Sequence, residues 1–339
     1  MRLVQCMAGA RHGGAEAFFE RLAIGLQKAG VTQRVAIRHD PERAARLRTA
    51  QVDTAEFGFG GIFDFNTRPA LRRMIEDFEP QIVLSWMNRA TKLCPNGIFV
   101  RAARLGGYYD LKYYRECDEL IGNTRGIVDY IVRSGWPQER AHYLPNFVTI
   151  EKAQALPHAL FRIPADAPLG LALGRLHKNK GFDVLLAALT KVPRVHILIA
   201  GEGPELEELQ RRALELGVAS RAHFIGWRSD IAALFATVDF FVCSSRHEPL
   251  GNVIIEAWAA GCPVVSTASE GPRELIRDVE NGMLVPVDDA DRLAAGIQAV
   301  QGQTLRKTLI EKGRASYEAE FSEARVVGLY KEFFDKVAR

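Results

Sequence analysis

The sequence predicts an α/β protein of two domains, each built on a doubly wound parallel sheet. Short apolar runs alternate with longer helical patterns along the whole chain, which is typical of repeated βαβ units. A weakly patterned, proline-interrupted stretch at 151–168 divides this alternation into two halves and predicts a linker. The length of 339 residues agrees, because it exceeds what one ordinary hydrophobic core needs.

Apolar runs predict five strands in the first half and six in the second, several of the latter apolar on both faces, as buried parallel strands are. The predicted strands are Leu3–Met7, Val35–Ile37, Ile82–Ser85, Leu120–Gly122, His142–Leu144, Leu169–Leu173, Val195–Ala200, His223–Ile225, Phe240–Cys243, Pro263–Ser266 and Met283–Val285. The clearest helical patterns are Ala15–Ala29, Phe182–Leu189, Glu205–Leu216, Ile231–Ala236 and the amphipathic last stretch Phe321–Val337.

The composition indicates a soluble globular protein, with 47% hydrophobic and 25% charged residues. The start of the chain has no long apolar segment, and no apolar run approaches the ~18 residues that a membrane span needs. Five widely spaced cysteines without a CxxC pair argue against a disulfide framework or a zinc site. We therefore expect a cytoplasmic protein and no nucleic-acid partner.

Basic residues are concentrated in the first half. Residues 1–150 hold 21 Lys and Arg against 16 Asp and Glu, although the whole chain has a formal net charge of only +3. This excess has two interpretations, a solvated surface or a face that meets an anionic lipid surface or a phosphorylated acceptor. The arginines concerned are Arg38, Arg43, Arg46, Arg48, Arg68, Arg72, Arg73, Arg101 and Arg104.

The most informative stretch contains two glutamates, Glu248 and Glu256, separated by seven residues. Pro249 and Gly251 break regular structure after the first, and the apolar run from Val253 predicts a buried helix with the second about one turn inside. Unpaired N–H groups at a helix start suit a phosphate. A carboxylate on each side of such an anion site can hold hydroxyl groups at the two ends of a sugar nucleotide.

A loop with two cations follows the predicted strand that ends at Gly174. Arg175 and Lys180 have a spacing that lets them converge on a diphosphate, the first through a bidentate fork and the second as a point charge. Such a pair could neutralise a departing diphosphate without a metal. The alternative is a basic loop that binds nothing.

Glycines end several predicted strands and leave space for a ligand. Gly201-Glu202-Gly203-Pro204 is not GxGxxG, so NAD is not indicated. Phe224-Ile225-Gly226-Trp227 could support a nucleotide base on its backbone, although packing alone also explains it. In the first half, Gly13-Gly14 precedes a helix where an anion is favoured, and His12 beside it is either a loop residue or a chemical group.

Taken together in their order along the chain, the motifs resemble those of the retaining GT-B glycosyltransferases, specifically the large family four that builds lipopolysaccharide and other glycans. The resemblance covers most of the chain and is strongest from Gly174 to Leu284. The matching residues are Glu248 and Glu256 for the E-x7-E motif, Gly174-Arg175 with Lys180-Gly181 for the GR…KG segment, and Gly13-Gly14-Ala15-Glu16 for the GGAE turn.

The resemblance implies a GT-B fold, with two Rossmann-like doubly wound parallel-sheet domains facing a cleft. It places an acceptor-binding domain at 1–155 and a nucleotide-sugar-binding domain at 165–320. It also implies that a C-terminal helix at 321–339 packs back on the first domain.

The same resemblance assigns roles to residues. Arg175 and Lys180 bind the donor diphosphate and stabilise it as it leaves, Glu248 faces the donor sugar, and Glu256 binds the ribose hydroxyl groups. The remaining donor contacts are Gly14, Gly203, Ile225, Leu250, Gly251 and Asn252.

The implied activity is metal-independent transfer of a hexose-type sugar, with retention, from a nucleoside-diphosphate sugar. A UDP-sugar is favoured, and a GDP- or ADP-sugar is compatible. The implied acceptor is a glycan or glycolipid such as a lipopolysaccharide core, reached by a peripheral protein on the anionic cytoplasmic leaflet of the inner membrane. Two alternatives remain, a GT-B-type sugar-nucleotide 2-epimerase and a non-catalytic sugar-nucleotide-binding protein.

One departure from the family pattern lies in the first half. Many relatives carry a histidine in a loop of the first domain beside the reacting sugar, but the corresponding region, 104–110, has none. Either Tyr109 or Asp110 replaces that histidine, or the contact is absent.

Overall fold

The computed structural model describes residues 1–11, 13–60 and 64–338, which form two compact units. Unit 1 comprises Met1–Phe147 together with Glu323–Arg339, and unit 2 comprises Val148–Ser322. The predicted linker at 151–168 is packed onto unit 2, because Ile163 is buried in its core and the Leu156 N–H donates to Thr237 Oγ1 at 2.8 Å.

Unit 1 contains a seven-stranded parallel sheet. Its strands are β1 (Arg2–Met7), β2 (Thr32–Arg38), β3 (Asp53–Phe57), β4 (Ile82–Trp86), β5 (Val100–Leu105), β6 (Glu119–Gly122) and β7 (Ala141–Tyr143). Their order in the sheet is β3-β2-β1-β4-β5-β6-β7, so the chain changes direction across the sheet between β1 and β4.

Unit 2 repeats the plan with six parallel strands. They are β8 (Leu169–Leu173), β9 (His196–Ala200), β10 (Ala222–Phe224), β11 (Phe240–Cys243), β12 (Val264–Thr267) and β13 (Met283–Val285). The order β10-β9-β8-β11-β12-β13 places the change of direction between β8 and β11. Ligands of doubly wound sheets bind at the carboxyl ends of the strands at this position.

Helices cover both sheets. They are α1 (Gly14–Lys28), α2 (Pro41–Thr49), α3 (Thr67–Phe78), α4 (Met87–Leu93), α5 (Arg125–Arg133), α6 (Phe182–Leu189), α7 (Leu206–Glu215), α8 (Ile231–Thr237), α9 (Asn252–Ala259), α10 (Glu270–Leu275), α11 (Ala290–Ala299), α12 (Gln303–Ser316) and α13 (Glu323–Val337). Within the described residues, none of them combines the length and the apolar character that crossing a bilayer requires.

The predicted fold class is confirmed, and every predicted strand overlaps an observed one. Two strands, β3 and β5, are not among the predicted ones. Strand β5 escaped detection because Arg101 and Arg104 interrupt its apolar pattern, yet both arginines are buried, at 7% and 2% exposure.

The buried arginines correct the interpretation of the basic excess in the first half. Arg104 lies over the rings of both Phe18 and Trp86, and its Nε donates to Tyr330 Oη at 2.9 Å. Arg43, 1% exposed, donates to Glu20 at 2.8 Å. The interpretation of these residues and Arg101 as part of a solvated or lipid-facing surface is therefore wrong.

The last helix, α13, completes the core of unit 1. Tyr330 and Phe334 are fully buried against α1 and its neighbours. Gly25 on α1 makes room for this contact, since a Cβ there would lie 2.9 Å from a methyl group of Val327. Although it is distant in sequence, the C-terminus is thus part of the first unit.

Two histidines stack at one edge of the unit 2 sheet. His196 on β9 and His223 on β10 have ring centroids 5.3 Å apart, and His196 Nδ1 lies 3.0 Å from His223 Nε2. Burial lowers the pKa of His223 to about 4, and His196 adds to the effect. The pKa of His196 is also lowered, by burial and by Arg221 and His158. Folding therefore disfavours protonation of this pair.

We predict that His223→Gln makes stability less sensitive to acid. In the wild type, the unfolded state takes up protons below about pH 6.5 while folded His223 does not, so the stabilisation is full above that pH and is lost as the pH falls towards the folded pKa. Urea midpoints measured at pH 7 and pH 5 should converge in the variant. Exposed His39→Gln is the control, and an unchanged pH slope in His223→Gln would contradict the prediction.

Candidate functional site

The two loops that leave β8 and β11 meet at the carboxyl edge of the unit 2 sheet. Lys180 Nζ forms an ion pair with the Glu248 carboxylate, which brings together two of the predicted site residues. Their side chains are only 24% and 13% exposed, so this pair is held largely inside the protein. Burial strengthens such a charge interaction, because less water screens it.

Hydrogen bonds to backbone carbonyl groups fix the two loops to each other. Ser244 Oγ donates to the Lys180 carbonyl at 2.9 Å, and the N–H groups of Arg246 and His247 donate to the Asn179 carbonyl at 2.8 and 3.1 Å. Gly181 has φ +61°, and a Cβ there would lie 2.1 Å from the Ser244 carbonyl oxygen. Glycine after Lys180 is therefore required by this close contact.

Arg246, which the sequence analysis did not select, ties the same loops through its side chain. Its guanidinium donates two parallel hydrogen bonds to Asp183, of 2.8 and 2.7 Å, and a third of 2.5 Å to Asp288. The hydrogen bond to Asp183 raises the pKa of Arg246, and Asp288 adds to the effect. No local sequence pattern marks Arg246, because its partners Asp183 and Asp288 are distant in the chain.

The start of α10 holds Glu248 from another direction. The Gly271 N–H donates to the Glu248 carbonyl at 2.8 Å, and Glu270 accepts from the Glu248 N–H at 3.2 Å and from His247 Nδ1 at 2.7 Å. Burial raises the pKa of Glu270, but the hydrogen bonds from its own N–H and from His247 outweigh it, so the pKa is lowered. Glu270 is therefore ionised at neutral pH.

Glycines pack the loop that carries Arg175 against the next loop of the edge. A Cβ on Gly201 would lie 1.9 Å from the Gly174 carbonyl oxygen, and one on Gly203 would lie 2.3 Å from the Leu176 carbonyl oxygen. Gly203, predicted as a donor contact, thus has a packing role as well. Arg175 itself is exposed and has no ion pair within the described part of the chain, so its charge is available to an anion.

The remaining predicted residues of unit 2 lie on the same edge. Gly251 has φ +82° at the start of α9, and Asn252 is the first residue of that helix. Glu256, half-buried, lies one turn further on, as predicted. Leu250 presents its backbone to Gly271. Ile225 follows β10, half-buried, and its N–H donates to the Ile199 carbonyl at 3.0 Å.

In unit 1, Gly14 begins α1, and the glycine turn before it is filled by Glu16. The Glu16 carboxylate accepts from the Ala10 N–H at 2.8 Å and occupies the space where a Cβ on Gly9 or Gly13 would lie. The Glu16 carboxyl group therefore fills this turn from within. His12 lies outside the described residues.

The two candidates for the missing histidine have different environments. Asp110 is exposed, accepts from the Lys112 N–H at 2.9 Å and pairs with Lys112 Nζ at 2.6 Å. Tyr109 is half-buried, and its pKa is raised by burial and by nearby Glu16. Asp110 is therefore occupied in a local turn, whereas Tyr109 is half-buried and senses the charge of Glu16.

Carboxylates with a metal-binding spacing occur at Asp289 and Asp291, which flank one residue. Asp289 accepts from the Arg292 N–H at 2.9 Å as the cap of α11, and Asp291 pairs with Lys191. Across the described residues, no cluster of three His, Cys, Asp or Glu could hold a metal ion.

Comparisons with known proteins agree on one family. Residues 158–316 match the family model described as glycosyl transferases group 1. The chain is similar to two proteins of Rhizobium meliloti (strain 1021), the lipopolysaccharide core biosynthesis glycosyltransferases LpsE and LpsD. Identity to LpsE is 38% over 331 residues, covering 94% of this chain and 95% of LpsE. Identity to LpsD is 32% over 333 residues, covering 96% and 95%.

A solved structure has the same fold. Anabaena Alr3699/HepE in complex with UDP and glucose superposes with a TM-score of 0.81, covering 98% of this chain and 99% of that one. Sequence identity is only 20%, so this likeness concerns the fold.

We predict that Gly201→Ala displaces the loop of Arg175. Its Cβ would overlap a carbonyl oxygen, and backbone atoms cannot move aside as a flexible side chain can. Gly217→Ala is the matched control, because Gly217 also has a positive φ but open space around it. We expect Gly201→Ala to cost roughly 1–3 kcal/mol more than the control in urea unfolding. Equal losses would show that backbone conformation alone matters.

Proposed function

The chain belongs to the group 1 glycosyltransferases, and on that premise we propose that it transfers a hexose-type sugar, with retention, from a nucleoside-diphosphate sugar to a glycan or glycolipid. The proposed acceptor is a lipopolysaccharide core or a similar cell-surface polysaccharide. LpsE and LpsD, which bear lipopolysaccharide core biosynthesis in their names, support this choice because they match nearly the whole chain.

The observation that carries the proposal is the convergence of Lys180 and Glu248 at the carboxyl edge of unit 2. As the bond between the sugar and the diphosphate breaks, negative charge develops on the leaving phosphate oxygens. Lys180 and exposed Arg175 then stabilise that charge. Such electrostatic stabilisation of the transition state is usually the largest single contribution to the catalysis of a reaction. When the donor binds, Lys180 turns towards the diphosphate and Glu248 accepts from a hydroxyl group of the sugar.

The donor is held along the same edge in this proposal. Glu256 binds the ribose hydroxyl groups, and N–H groups of the segment 250–252 bind phosphate or sugar oxygens at the start of α9. Gly203 and Ile225 allow close backbone contacts on this edge, whereas Gly14, at the start of α1 in unit 1, stays a predicted donor contact. A UDP-sugar is the first choice, supported by the complex of HepE with UDP and glucose, and GDP- and ADP-sugars are alternatives.

We propose that transfer needs no metal. Two cations, Arg175 and Lys180, supply the positive charge that a divalent ion supplies in other phosphate-binding sites. We also propose a cytoplasmic location at an anionic membrane surface. The exposed arginines of α3 remain suitable for that contact, namely Arg68, Arg72 and Arg73.

Calorimetry with UDP, GDP and ADP, each with and without EDTA, tests the donor site. We expect one nucleotide to bind in preference to the others, with an affinity that EDTA leaves unchanged. Transfer from the corresponding nucleotide sugar to a lipopolysaccharide acceptor is then measured as release of the nucleoside diphosphate. Binding without release would indicate the non-catalytic alternative, and a free epimerised sugar would indicate the 2-epimerase.

We predict that Arg175→Ala and Glu256→Ala separate the two ends of the nucleotide. Arg175→Ala should weaken UDP binding by about 10- to 100-fold, the usual effect of one charge-assisted hydrogen bond. It should leave uridine binding unchanged, because uridine has no phosphate. Glu256→Ala should weaken the binding of both UDP and uridine, because both contain the ribose. An equal effect of Arg175→Ala on UDP and uridine would remove Arg175 from the diphosphate site.

A further inference from the structure

Arg246 connects three loops at the carboxyl edge of unit 2. It belongs to the loop after β11, its fork binds Asp183 at the start of α6, and its Nε binds Asp288 after β13 at 2.5 Å. Its Nη1 also donates to the Lys178 carbonyl at 2.8 Å. Each of these hydrogen bonds therefore ties Arg246 to a neighbouring segment of this edge.

The two acidic partners of Arg246, Asp183 and Asp288, each have a property that accompanies this contact. Burial raises the pKa of Asp183, but the hydrogen bonds from Arg246 outweigh it, so its pKa is lowered. Asp288 has φ +61°, a left-handed conformation that a residue with a Cβ adopts at a cost. This strained backbone position lies at the point where Asp288 reaches Arg246.

The ion-pair network runs beside the Lys180–Glu248 pair. Arg246 precedes Glu248 by two residues, and Asp183 follows Lys180 by three. The fork between Arg246 and Asp183 therefore joins the loop after β11 to the start of α6, which directly follows the loop that carries Lys180. A single exposed ion pair contributes little, but a bidentate pair with a second carboxylate and a carbonyl restricts both loops.

We propose that Arg246 is a positioning residue of the transferase site, whose contacts with Asp183 and Asp288 fix the separation between Lys180 and Glu248. The inference rests on the proposed function, since it concerns the same site. Arg246 acts through these two residues and does not itself touch the reacting atoms. Its loss leaves the site residues present but less well placed, and a misplacement of about 1 Å lowers a rate by about 100-fold.

Two measurements on Arg246→Gln test the proposal, namely turnover and amide hydrogen exchange of the segment 244–248. The control is Arg306→Gln, because Arg306 pairs with Asp239 at the opposite end of β11 and is 37% exposed, against 31% for Arg246. We expect exchange of the segment to rise by about 10-fold or more in Arg246→Gln only. We expect kcat to fall by about 10- to 100-fold relative to the control, with a smaller change in the KM for the donor.

Arg246→Lys adds a second comparison, because lysine keeps the charge but cannot form the two parallel hydrogen bonds. Its kcat should stay closer to that of Arg246→Gln than to that of the wild type. Unchanged exchange in Arg246→Gln, or a kcat equal to that of Arg306→Gln, would overturn the proposal. Faster exchange in a protein whose wild type transfers no sugar would instead contradict the proposed function and leave the role of Arg246 in ordering the loops intact.

Discussion

The architecture of the candidate site depends on one constraint, the parallel pairing of β8 with β11 at the point where the strand order reverses. Sequential strands of unit 2 extend outward in both directions from this pair. Loops from neighbouring strands therefore meet at their carboxyl ends, with room between them for a ligand. Lys180 and Glu248 lie on the loops that follow these two strands. They therefore come together although they are 68 residues apart in the sequence.

Close backbone contact and charge act together at this edge. Glycines at 181, 201, 203 and 271 let carbonyl oxygens approach positions that a Cβ would fill. The loops brought together in this way carry alternating charges, so Lys180, Glu248, Arg246, Asp183 and Glu270 each have a partner of opposite charge or a hydrogen-bonding imidazole. Arg175, in contrast to these paired groups, is exposed.

The interior of unit 1 shows a different use of charge. Arg104 lies buried over two aromatic rings and binds the hydroxyl group of Tyr330, so a cation links β5 to the C-terminal helix. Aromatic faces partly replace the water that such a cation loses. This arrangement explains why a strand with two arginines was missed, since pattern analysis assigns charged residues to the surface unless a partner is known.

The sequence by itself determined the fold class, most strand positions and the candidate donor residues, because these depend on local periodicity and on motifs of adjacent residues. Only the tertiary structure decided which charged residues are partners, namely Lys180 with Glu248, Arg246 with Asp183 and Asp288, and His247 with Glu270. It also decided that the stretch 151–168 packs on unit 2 and that three basic residues of the first half are interior. The physical reason is that ion pairs and burial join residues far apart in the chain, where no local pattern records the partner.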